Sequence, residues 1–413
     1  MSVTEQPDVV VIGAGIAGGA LATVLARGGK RVLMLERSLE HEDRVRGEYM
    51  HPWGVAEAQR LGLYDALLDA GANVLRRFVP YDECRTPEEA EAAAFALALL
   101  PGVDGPLGVS HPGACDAFDT AAVASGAELV RGVRDVTVTP GARPVVTYVI
   151  DGQTVSVAPR LVVGADGRES TVRRQLAFEL HATEPRTMGA GMLVDGADRW
   201  PESDMVIGSE GDSNFLVFPQ GGGRARLYLF YEVADRRRLA GPEKQSAFLD
   251  AFRLSSFPGG EIFASATPAG PCGAFPMNDT WVDQPAIDGV VLVGDAAGHS
   301  DPLIGEGLSV AMRDVRWVGE TLLGRDDWSP AAFAGYAEER ADRMSRLRFF
   351  ADVVTTMNVE FVPGAVERRR RADERFMTDP ELFMLRAGVF VGPEVTPAEL
   401  FCDATKERLF APA

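Results

Sequence analysis

The sequence predicts an α/β fold with a discontinuous Rossmann-like domain, an inserted antiparallel β-sheet domain and a C-terminal helical segment. Three observations predict it: an apolar run that ends in GAGIAG, two later apolar runs that end in GADGRES and GDAAGHSDPLIGEG, and a strand-rich region between those two. The chain has 413 residues. That length is enough for two or three structural lobes around a large core.

The first element is a complete βαβ unit. Residues 8–12 (DVVVI) form a short β-branched run that is typical of a buried parallel strand. A helical pattern follows over residues 17–27, and two glycines end it. A second strand over residues 31–35 ends at Glu36. This spacing indicates a dinucleotide-binding unit.

The three glycines of GAGIAG have separate physical tasks. Gly13 permits the tight turn, Gly15 lets the backbone approach a pyrophosphate, and Gly18 lets the helix pack closely on the strand. The helix N-terminus offers free N–H groups and a partial positive charge to the phosphates. Glu36 can accept both ribose hydroxyls of an adenosine and repels a 2′-phosphate. The tightly held nucleotide is therefore expected to be FAD or NAD rather than NADP.

Two further motifs follow the same plan of a strand and then a loop. An apolar strand over residues 161–164 leads into the turn Ala-Asp166-Gly, and a helix starts soon after it. Another strand over residues 289–293 leads into Gly294-Asp295 and a loop that contains Pro302 before the next helix. Either motif alone could be an ordinary turn with Asp.

The region between these two motifs is rich in predicted strands. DMVIGS, NFLVFP and RARLYLFYEV alternate or run apolar between turn residues, and QGGGR (220–224) is typical of a hairpin loop. They predict an antiparallel sheet, one face of which covers a ligand pocket. Tyr228 and Tyr231 lie three apart and are expected on opposite faces of it. Residues 88–100 fit a short helix or a strand equally well.

The resulting domain division has three parts. Residues 1–73, 109–177 and 281–345 are assigned to the cofactor-binding domain, 74–108 and 178–280 to the substrate-binding sheet domain, and 346–413 to the C-terminal helical region. The four arginines at 368–371 are expected on a solvated helix face.

Composition excludes several classes of function. The chain has 41 basic and 60 acidic residues and a formal net charge of -19, which argues against nucleic acid and anionic membranes as partners. The sequence contains no run of about 20 apolar residues, so no membrane span is predicted. The N-terminus shows no signal-peptide pattern. The four cysteines are far apart in the sequence. They predict no metal site and fit a cytoplasmic location.

GAGIAG, GADGRES and GDAAGHSDPLIGEG, in this order and at these separations, resemble the motifs of the FAD-dependent aromatic hydroxylases. These are the single-component flavoprotein monooxygenases typified by p-hydroxybenzoate hydroxylase, and the resemblance covers about residues 8–345. Because an NAD dehydrogenase needs only the first motif, the resemblance implies FAD. It implies as cofactor-binding residues Gly13, Gly15, Gly18, Glu36, Arg37, Arg46, His111, Asp166, Asp295, Pro302, Gly305, Gly307 and Leu308.

Some of these residues have a specific role in the resemblance. It implies that Arg46 lies beside the flavin and the pyrophosphate, and that Asp166 steadies the region around the pyrophosphate. Asp295 is expected to accept a hydrogen bond from the ribityl chain. Residues 305–308 are expected to present their backbone to the flavin ring, where a helix begins.

Several positions depart from the family pattern. His111 falls where the family usually has Gln or Arg against the ribityl chain. Many members have His three residues after the Asp of the third motif, whereas this chain has Gly298 there and His299 next. Ser309 replaces a frequent Asn. These departures leave the substrate open, and the loop also resembles that of geranylgeranyl reductases.

The resemblance implies a monooxygenase that uses NADPH or NADH and O2 on an aromatic or polyketide-like small molecule, through a flavin C4a-hydroperoxide. The candidate catalytic residues are Arg46, His51 and His299, with Tyr49 and Asp301 as other possible bases. His51 also fits an ordinary histidine in the layer behind the site. No second nucleotide motif is present, so NAD(P)H is expected to bind transiently, with Arg46 as its one named contact.

Two alternatives stay open at this point. A flavin-dependent reductase or dehydrogenase of the geranylgeranyl-reductase type would use the same fold, and a flavin-binding protein without turnover would need only the cofactor motifs. A flavin halogenase is disfavoured because no WxWxIP-type segment follows the first motif. The oligomeric state is not predicted.

Overall fold

The computed structural model describes residues 6–45 and 47–412. It confirms the α/β class, with a mostly parallel sheet, a large antiparallel sheet and helices at the C-terminal end. None of the described helices combines the length and the apolar character needed to cross a bilayer.

The described residues form 22 strands and 13 α-helices. The strands are β1 Val9–Ile12, β2 Val32–Glu36, β3 Tyr49–Met50, β4 Asn73–Val74, β5 Arg77–Val79, β6 Phe95–Ala96, β7 Leu107–Gly108, β8 Glu128–Arg131, β9 Arg134–Thr139, β10 Val145–Ile150, β11 Gln153–Val157, β12 Leu161–Gly164, β13 His181–Ala182, β14 Thr187–Asp195, β15 Asp204–Glu210, β16 Ser213–Gly221, β17 Arg224–Glu232, β18 Thr267–Pro268, β19 Gly273–Met277, β20 Thr280–Trp281, β21 Ala286–Ile287 and β22 Val290–Leu292. The helices are α1 Ile16–Arg27, α2 Pro52–Arg60, α3 Tyr64–Asp69, α4 Pro87–Ala92, α5 His111–Ala124, α6 Thr171–Gln175, α7 Lys244–Asp250, α8 Gly260–Ala264, α9 Gly307–Gly324, α10 Ala334–Asn358, α11 Ala365–Thr378, α12 Pro380–Val391 and α13 Asp403–Phe410.

The first sheet carries the three motifs side by side. Its strand order is β21-β22-β12-β1-β2-β8, and every pair except β21 with β22 is parallel. Strands β1, β2 and β12 are buried along their whole length, as expected for parallel strands covered on both faces. Because β12, β1 and β2 run in the same direction, the loops that follow them emerge at one edge of the sheet.

The second sheet forms the other wall of the site. It follows the order β18-β14-β17-β16-β15-β5-β6, with β19 also paired to β14. Its pairs are antiparallel except β5 with β15. Strands β16 and β17 form the hairpin predicted at QGGGR. Phe215 and Tyr231 pack in a core on one face, whereas Phe218 and Tyr228 face the other, as the strand period predicts.

Two segments differ from or refine the sequence interpretation. Residues 88–100 contain both candidate elements, because helix α4 and strand β6 follow each other there. Residues 134–157 form a separate three-stranded antiparallel sheet, β11-β10-β9, which was not predicted. It packs beneath the parallel sheet in a common hydrophobic cluster.

The C-terminal helices pack onto the rest of the chain. Helix α10 is continuous for 25 residues, and the predicted boundary at residue 345 falls inside it. The domain bounds stay a prediction. The expected solvated face at 368–371 is wrong for Arg369, which is buried and pairs with Asp82 and Glu83.

Candidate active site

The GAGIAG turn has the geometry of a nucleotide cradle. Gly13 has φ +99°, which favours glycine, and a Cβ there would lie 2.5 Å from the Ala165 carbonyl oxygen. A Cβ on Gly18 would lie 1.9 Å from the Gly13 oxygen, so helix α1 can approach strand β1 only without a side chain. At Gly15 no atom lies within 4 Å of a Cβ position. The residue borders an open groove.

This nucleotide groove has a volume of about 1370 Å³, counting the solvent at its mouth. Glu36 and Arg37, at the end of β2, line it. The Glu36 carboxylate accepts hydrogen bonds from the Ala14 and Ser38 N–H groups, each at 2.8 Å. Each carboxylate oxygen can accept two hydrogen bonds, so capacity remains for ribose hydroxyls. These residues and the Gly15 opening fit the ADP half of a dinucleotide.

Asp166 and Asp295 line the same groove from the second and third motifs. Asp166 accepts hydrogen bonds from the Thr171 N–H at 2.6 Å and the Val172 N–H at 3.2 Å, and so fixes the start of helix α6. Asp295 accepts a hydrogen bond from the Arg168 side chain at 3.2 Å. Arg173, on α6, donates to the Ala296 carbonyl at 2.9 Å, which ties the second motif to the third.

The loop after Asp295 ends at the start of helix α9. Pro302 begins a short 3₁₀ turn over Pro302–Ile304, and Gly305 follows with φ +68°. The first backbone bond of α9 runs from the Val310 N–H to the Glu306 carbonyl, so the N–H groups of residues 307–309 precede it. No atom lies within 4 Å of a Cβ position on Gly307. The positive end of α9 therefore faces open space.

A second cavity, of about 1590 Å³ counting its mouth, lies on the other side of this loop. We call it the apolar cavity. One wall is the face of the second sheet that carries Phe218, Tyr228 and Phe230. The opposite wall comes from helices α10 and α12, through Phe350, Val354, Met357, Val389 and Phe390. The residues that line both this cavity and the nucleotide groove are Gly47, Arg168, Asp295, Gly307 and Leu308.

His51 and Glu306 are two buried titratable residues at this junction. His51 Nε2 donates to the Ile304 carbonyl at 2.8 Å and lies 3.7 Å from the Glu306 carboxyl. Burial lowers the pKa of His51 to about 4, although its hydrogen bond with Ile304 acts in the opposite direction. Burial raises the pKa of Glu306 well above its usual value. His51 is therefore neutral near pH 7, and burial shifts Glu306 toward its neutral form.

The other predicted residues lie at different distances from the junction. His299 lines the apolar cavity, and its Nδ1 lies 2.8 Å from the Thr280 hydroxyl. His111 is the first residue of α5 and lines the nucleotide groove. Arg46, named for both catalysis and cofactor binding, lies outside the described residues. Tyr49 lines the apolar cavity, whereas Asp301 is buried behind it and caps the 3₁₀ turn.

Sequence reasoning missed a buried ionic cluster behind the third motif. Asp314 accepts hydrogen bonds from the Gly294 N–H at 2.8 Å, Arg340 at 3.1 Å and Arg343 at 2.6 Å. Arg340 also donates to the carbonyls of Gly294 at 3.1 Å and Gly298 at 2.8 Å. The three charged side chains are buried. The cluster therefore holds both ends of the 294–298 loop.

One group within the described residues could bring three metal ligands together. His41, Asp116 and Asp119 have candidate ligand atoms within 4.8 Å of one another. Arg131 already lies 2.6 Å from Asp119 and 3.7 Å from Asp116. Since the arginine neutralises these carboxylates, we assign the group to an ion-pair network, and the expectation of no metal site stays a prediction.

A parallel sheet with a glycine-lined nucleotide groove that opens into an apolar cavity defines the class of dinucleotide-binding α/β proteins with a small-molecule site beside the nucleotide. Residues 6–350 match the family described as "FAD binding domain". The chain belongs to this family, that of the FAD-dependent aromatic hydroxylases, and is an FAD-dependent oxidoreductase.

Individual known proteins agree with this assignment. The chain is 28% identical to rifampicin monooxygenase of Streptomyces venezuelae, over 87% of this chain and 74% of the relative. It is 29% identical to digeranylgeranylglycerophospholipid reductase 1 of Methanococcoides burtonii, over 80% and 79%. The solved flavin-dependent brominase Bmp2 has a TM-score of 0.74 at 18% identity, covering 97% of this chain and 98% of that one. That last likeness concerns the fold alone.

Proposed function

We propose that this enzyme is an NAD(P)H-dependent monooxygenase that hydroxylates a mainly apolar aromatic or polyketide-like small molecule. The observation that carries this proposal is the junction of the nucleotide groove with the apolar cavity at Gly307 and Leu308. The mainly apolar lining of the apolar cavity offers an apolar substrate a site beside the cofactor ring.

Three features support this reaction: the cofactor, the start of helix α9 and the aromatic walls of the cavity. Bound FAD, once reduced, supplies the activation of O2 that insertion of an oxygen atom requires. Residues 307–309 direct backbone N–H groups and the positive end of α9 at the ring position, where they stabilise negative charge on the cofactor. The aromatic walls formed by Phe218, Tyr228 and Phe390 orient a planar substrate and exclude water.

A basic groove beside the junction supports NAD(P)H as the reductant. Three arginines and one glutamate line it, namely Arg168, Arg173, Arg174 and Glu169, together with Phe178 and Leu180. The chain as a whole is strongly acidic, so a local cluster of arginines is a specific attraction for the phosphates of a dinucleotide. Because Arg168 also lines the apolar cavity, the groove leads to the cofactor ring.

Reversing the charge at Arg174 tests this docking site. Arg174 is exposed and pairs only weakly with Glu169 at 3.2 Å. We expect Arg174→Glu to raise the KM for NAD(P)H about tenfold at low ionic strength, since a charged hydrogen bond contributes about 1.5–3 kcal/mol. FAD content should stay unchanged. Arg236→Glu, the same change on an exposed residue of the sheet domain, is the control. Equal KM values for the two variants would place the docking site elsewhere.

The proposed reaction is tested with a panel of electron-rich aromatic and polyketide molecules. We expect at least one of them to stimulate NAD(P)H oxidation together with O2 uptake, and mass spectrometry to detect a product heavier by one oxygen atom. Labelled O2 should place its isotope in that product. Bromide is included in the panel, because a brominated product would identify a halogenase instead. Stimulated NAD(P)H oxidation with no oxygen in any product would contradict hydroxylation.

The reductase is the second candidate, and two observations favour it. One is the similarity to the Methanococcoides burtonii reductase, and the other is the mainly apolar wall of the cavity. Anaerobic saturation of a double bond in an isoprenoid substrate would select this candidate. A flavin that NAD(P)H never reduces, with or without any substrate, would select the non-turnover protein. The cytoplasmic location stays a prediction.

A further inference from the structure

The start of helix α2 donates three hydrogen bonds to the segment that precedes and begins α9. The His51 N–H donates to the Ser309 hydroxyl at 3.2 Å, and the His51 ring donates to the Ile304 carbonyl at 2.8 Å. The Trp53 indole N–H donates to Glu306 at 2.9 Å. These donors lie within three residues of the chain, and their acceptors span the six residues 304–309. Two separate pieces of the chain are thus joined at one point.

The chemistry of His51 at this point does not suit a base. A carbonyl oxygen only accepts hydrogen bonds, so the proton of the neutral imidazole must sit on Nε2. Burial lowers the pKa of His51 to about 4. A group with so low a pKa takes up a proton poorly near pH 7, where an efficient general base has a pKa close to the working pH.

Glu306 is also used in an unusual way. It occupies the position before α9 but makes no side-chain bond to the N–H groups of that helix. Instead, the side chain turns to Trp53 and is fully buried. This orientation leaves the N–H groups of residues 307–309 for a ligand. Burial favours the neutral form of this carboxyl, which avoids an unpaired buried charge.

The acceptor segment contains two glycines. Gly305 has φ +68°, and Gly307 has open space where a side chain would be. Glycine lowers the resistance of the backbone to alternative conformations. The hydrogen bonds from His51 and Trp53 therefore restrict a segment whose two glycines allow other backbone conformations.

We propose that His51, Trp53 and Glu306 form a positioning clamp that holds residues 304–309 in the conformation that faces the flavin ring. His51 then acts as a neutral hydrogen-bond donor, not as the base of the reaction. Glu306 acts as an anchor for Trp53. This inference rests on the proposed placement of the ring at residues 305–308, and it adds a positioning role for His51, Trp53 and Glu306 to that placement.

A pair of His51 variants separates the clamp from a base. Gln can place its side-chain N–H near the position of Nε2, whereas Leu cannot donate. We expect His51→Leu to raise the Kd of the reconstituted apoprotein for FAD about tenfold, and His51→Gln to keep it within about threefold of the native value. The reduction potential of bound FAD in His51→Leu should also become more negative. A tenfold loss of preference for reduced flavin corresponds to about 30 mV for a two-electron couple.

Trp53→Phe is a second test of the same contacts, in case His51→Leu does not fold. It removes the indole donor, keeps an aromatic ring in the core, and should raise the FAD Kd about fivefold. His181→Leu, a histidine paired with Asp283 outside both cavities, is the control and should change neither the FAD Kd nor the potential.

Three results would overturn the clamp. If His51→Gln loses FAD affinity and turnover as severely as His51→Leu, the imidazole itself is required. If Trp53→Phe and His51→Leu both leave the FAD Kd and the potential unchanged, the contacts position nothing. If Glu306→Gln keeps the FAD Kd and the potential but abolishes turnover, Glu306 is a proton donor. The FAD measurements need no substrate, so they stand even if no oxygenated product is found, and the oxygenation assay stands if the clamp fails.

Discussion

Replacing Asp314 by alanine is expected to lower the free energy of unfolding by about 3–5 kcal/mol, the usual cost of breaking a buried ion pair. The variant leaves Arg340 and Arg343 buried without their shared carboxylate, and the Gly294 N–H without its acceptor. Since that cluster holds the 294–298 loop, FAD affinity should fall with stability. The free energy lost is expected to be a large part of what an ordinary domain has.

The effect of Asp314 also has a defined pH dependence. Desolvation would raise the pKa of Asp314, but Arg340 and Arg343 outweigh it and lower the pKa below the usual aspartate value of 3.8. A carboxyl whose pKa is lower in the folded than in the unfolded state stabilises the fold fully above the unfolded-state pKa. This stabilisation is lost as the pH falls through the folded-state pKa. The difference between native protein and Asp314→Ala should therefore be full at neutral pH and shrink below about pH 4.

Denaturant titration monitored by fluorescence measures this difference. Asp342→Ala is the matched control, because Asp342 is exposed and pairs with Arg346 at 2.8 Å on helix α10. Exposed ion pairs contribute about 0–1 kcal/mol, so the control should shift the unfolding midpoint little. If Asp314→Ala shifts the midpoint no more than Asp342→Ala does, the buried cluster does not stabilise the fold.

Gly15→Val is the second large expected effect, and it acts on the cofactor instead of the fold. Because no atom lies within 4 Å of a Cβ on Gly15, the valine side chain has room in the protein without FAD. It then stands in the nucleotide groove at the N-terminus of α1, where the pyrophosphate is expected. We expect the FAD Kd to rise at least about 100-fold, which is about 2.7 kcal/mol of binding free energy.

Flavin content after gel filtration and the unfolding midpoint of the apoprotein check this result together. The purified variant should be colourless while its apoprotein unfolds within about 1 kcal/mol of the native one. Gly324→Val, at the exposed end of α9 where a Cβ also meets no atom, is the control and should keep its FAD. Full retention of FAD by Gly15→Val would show that the pyrophosphate does not bind at this turn.

The cofactor half of the site could be predicted because its signals are local. Gly13 and Gly18 each meet a steric constraint from within one βαβ unit or its neighbouring strand, and Gly15 leaves the groove beside that unit open. The alternation of Tyr228 and Tyr231 likewise follows from the period of a single strand. Contacts within one strand or one βαβ unit can therefore be predicted from the sequence pattern, because that element alone determines their geometry.

The other half depends on packing between distant segments. Asp314 lies four residues from Val310 and Val318, on the apolar face of α9, and Arg340 and Arg343 lie on the matching face of α10. A charge at an apolar position was the available signal, but its partner could not be read from one helix. The same holds for Arg369, whose acidic partners lie about 290 residues earlier, and for the helices that line the apolar cavity.

Helix α10 contacts both ligand sites and therefore couples them. It is roughly 37 Å long at about 1.5 Å per residue, and it carries Arg340 at the cofactor loop and Met357 at the cavity wall. If a bound substrate shifts this helix at Met357, Arg340 shifts with it, and the affinity for FAD changes. By thermodynamic reciprocity, FAD then changes the affinity for that substrate by the same factor. The enzyme is expected to load its two ligands cooperatively, so its measured substrate affinity depends on how fully it carries flavin.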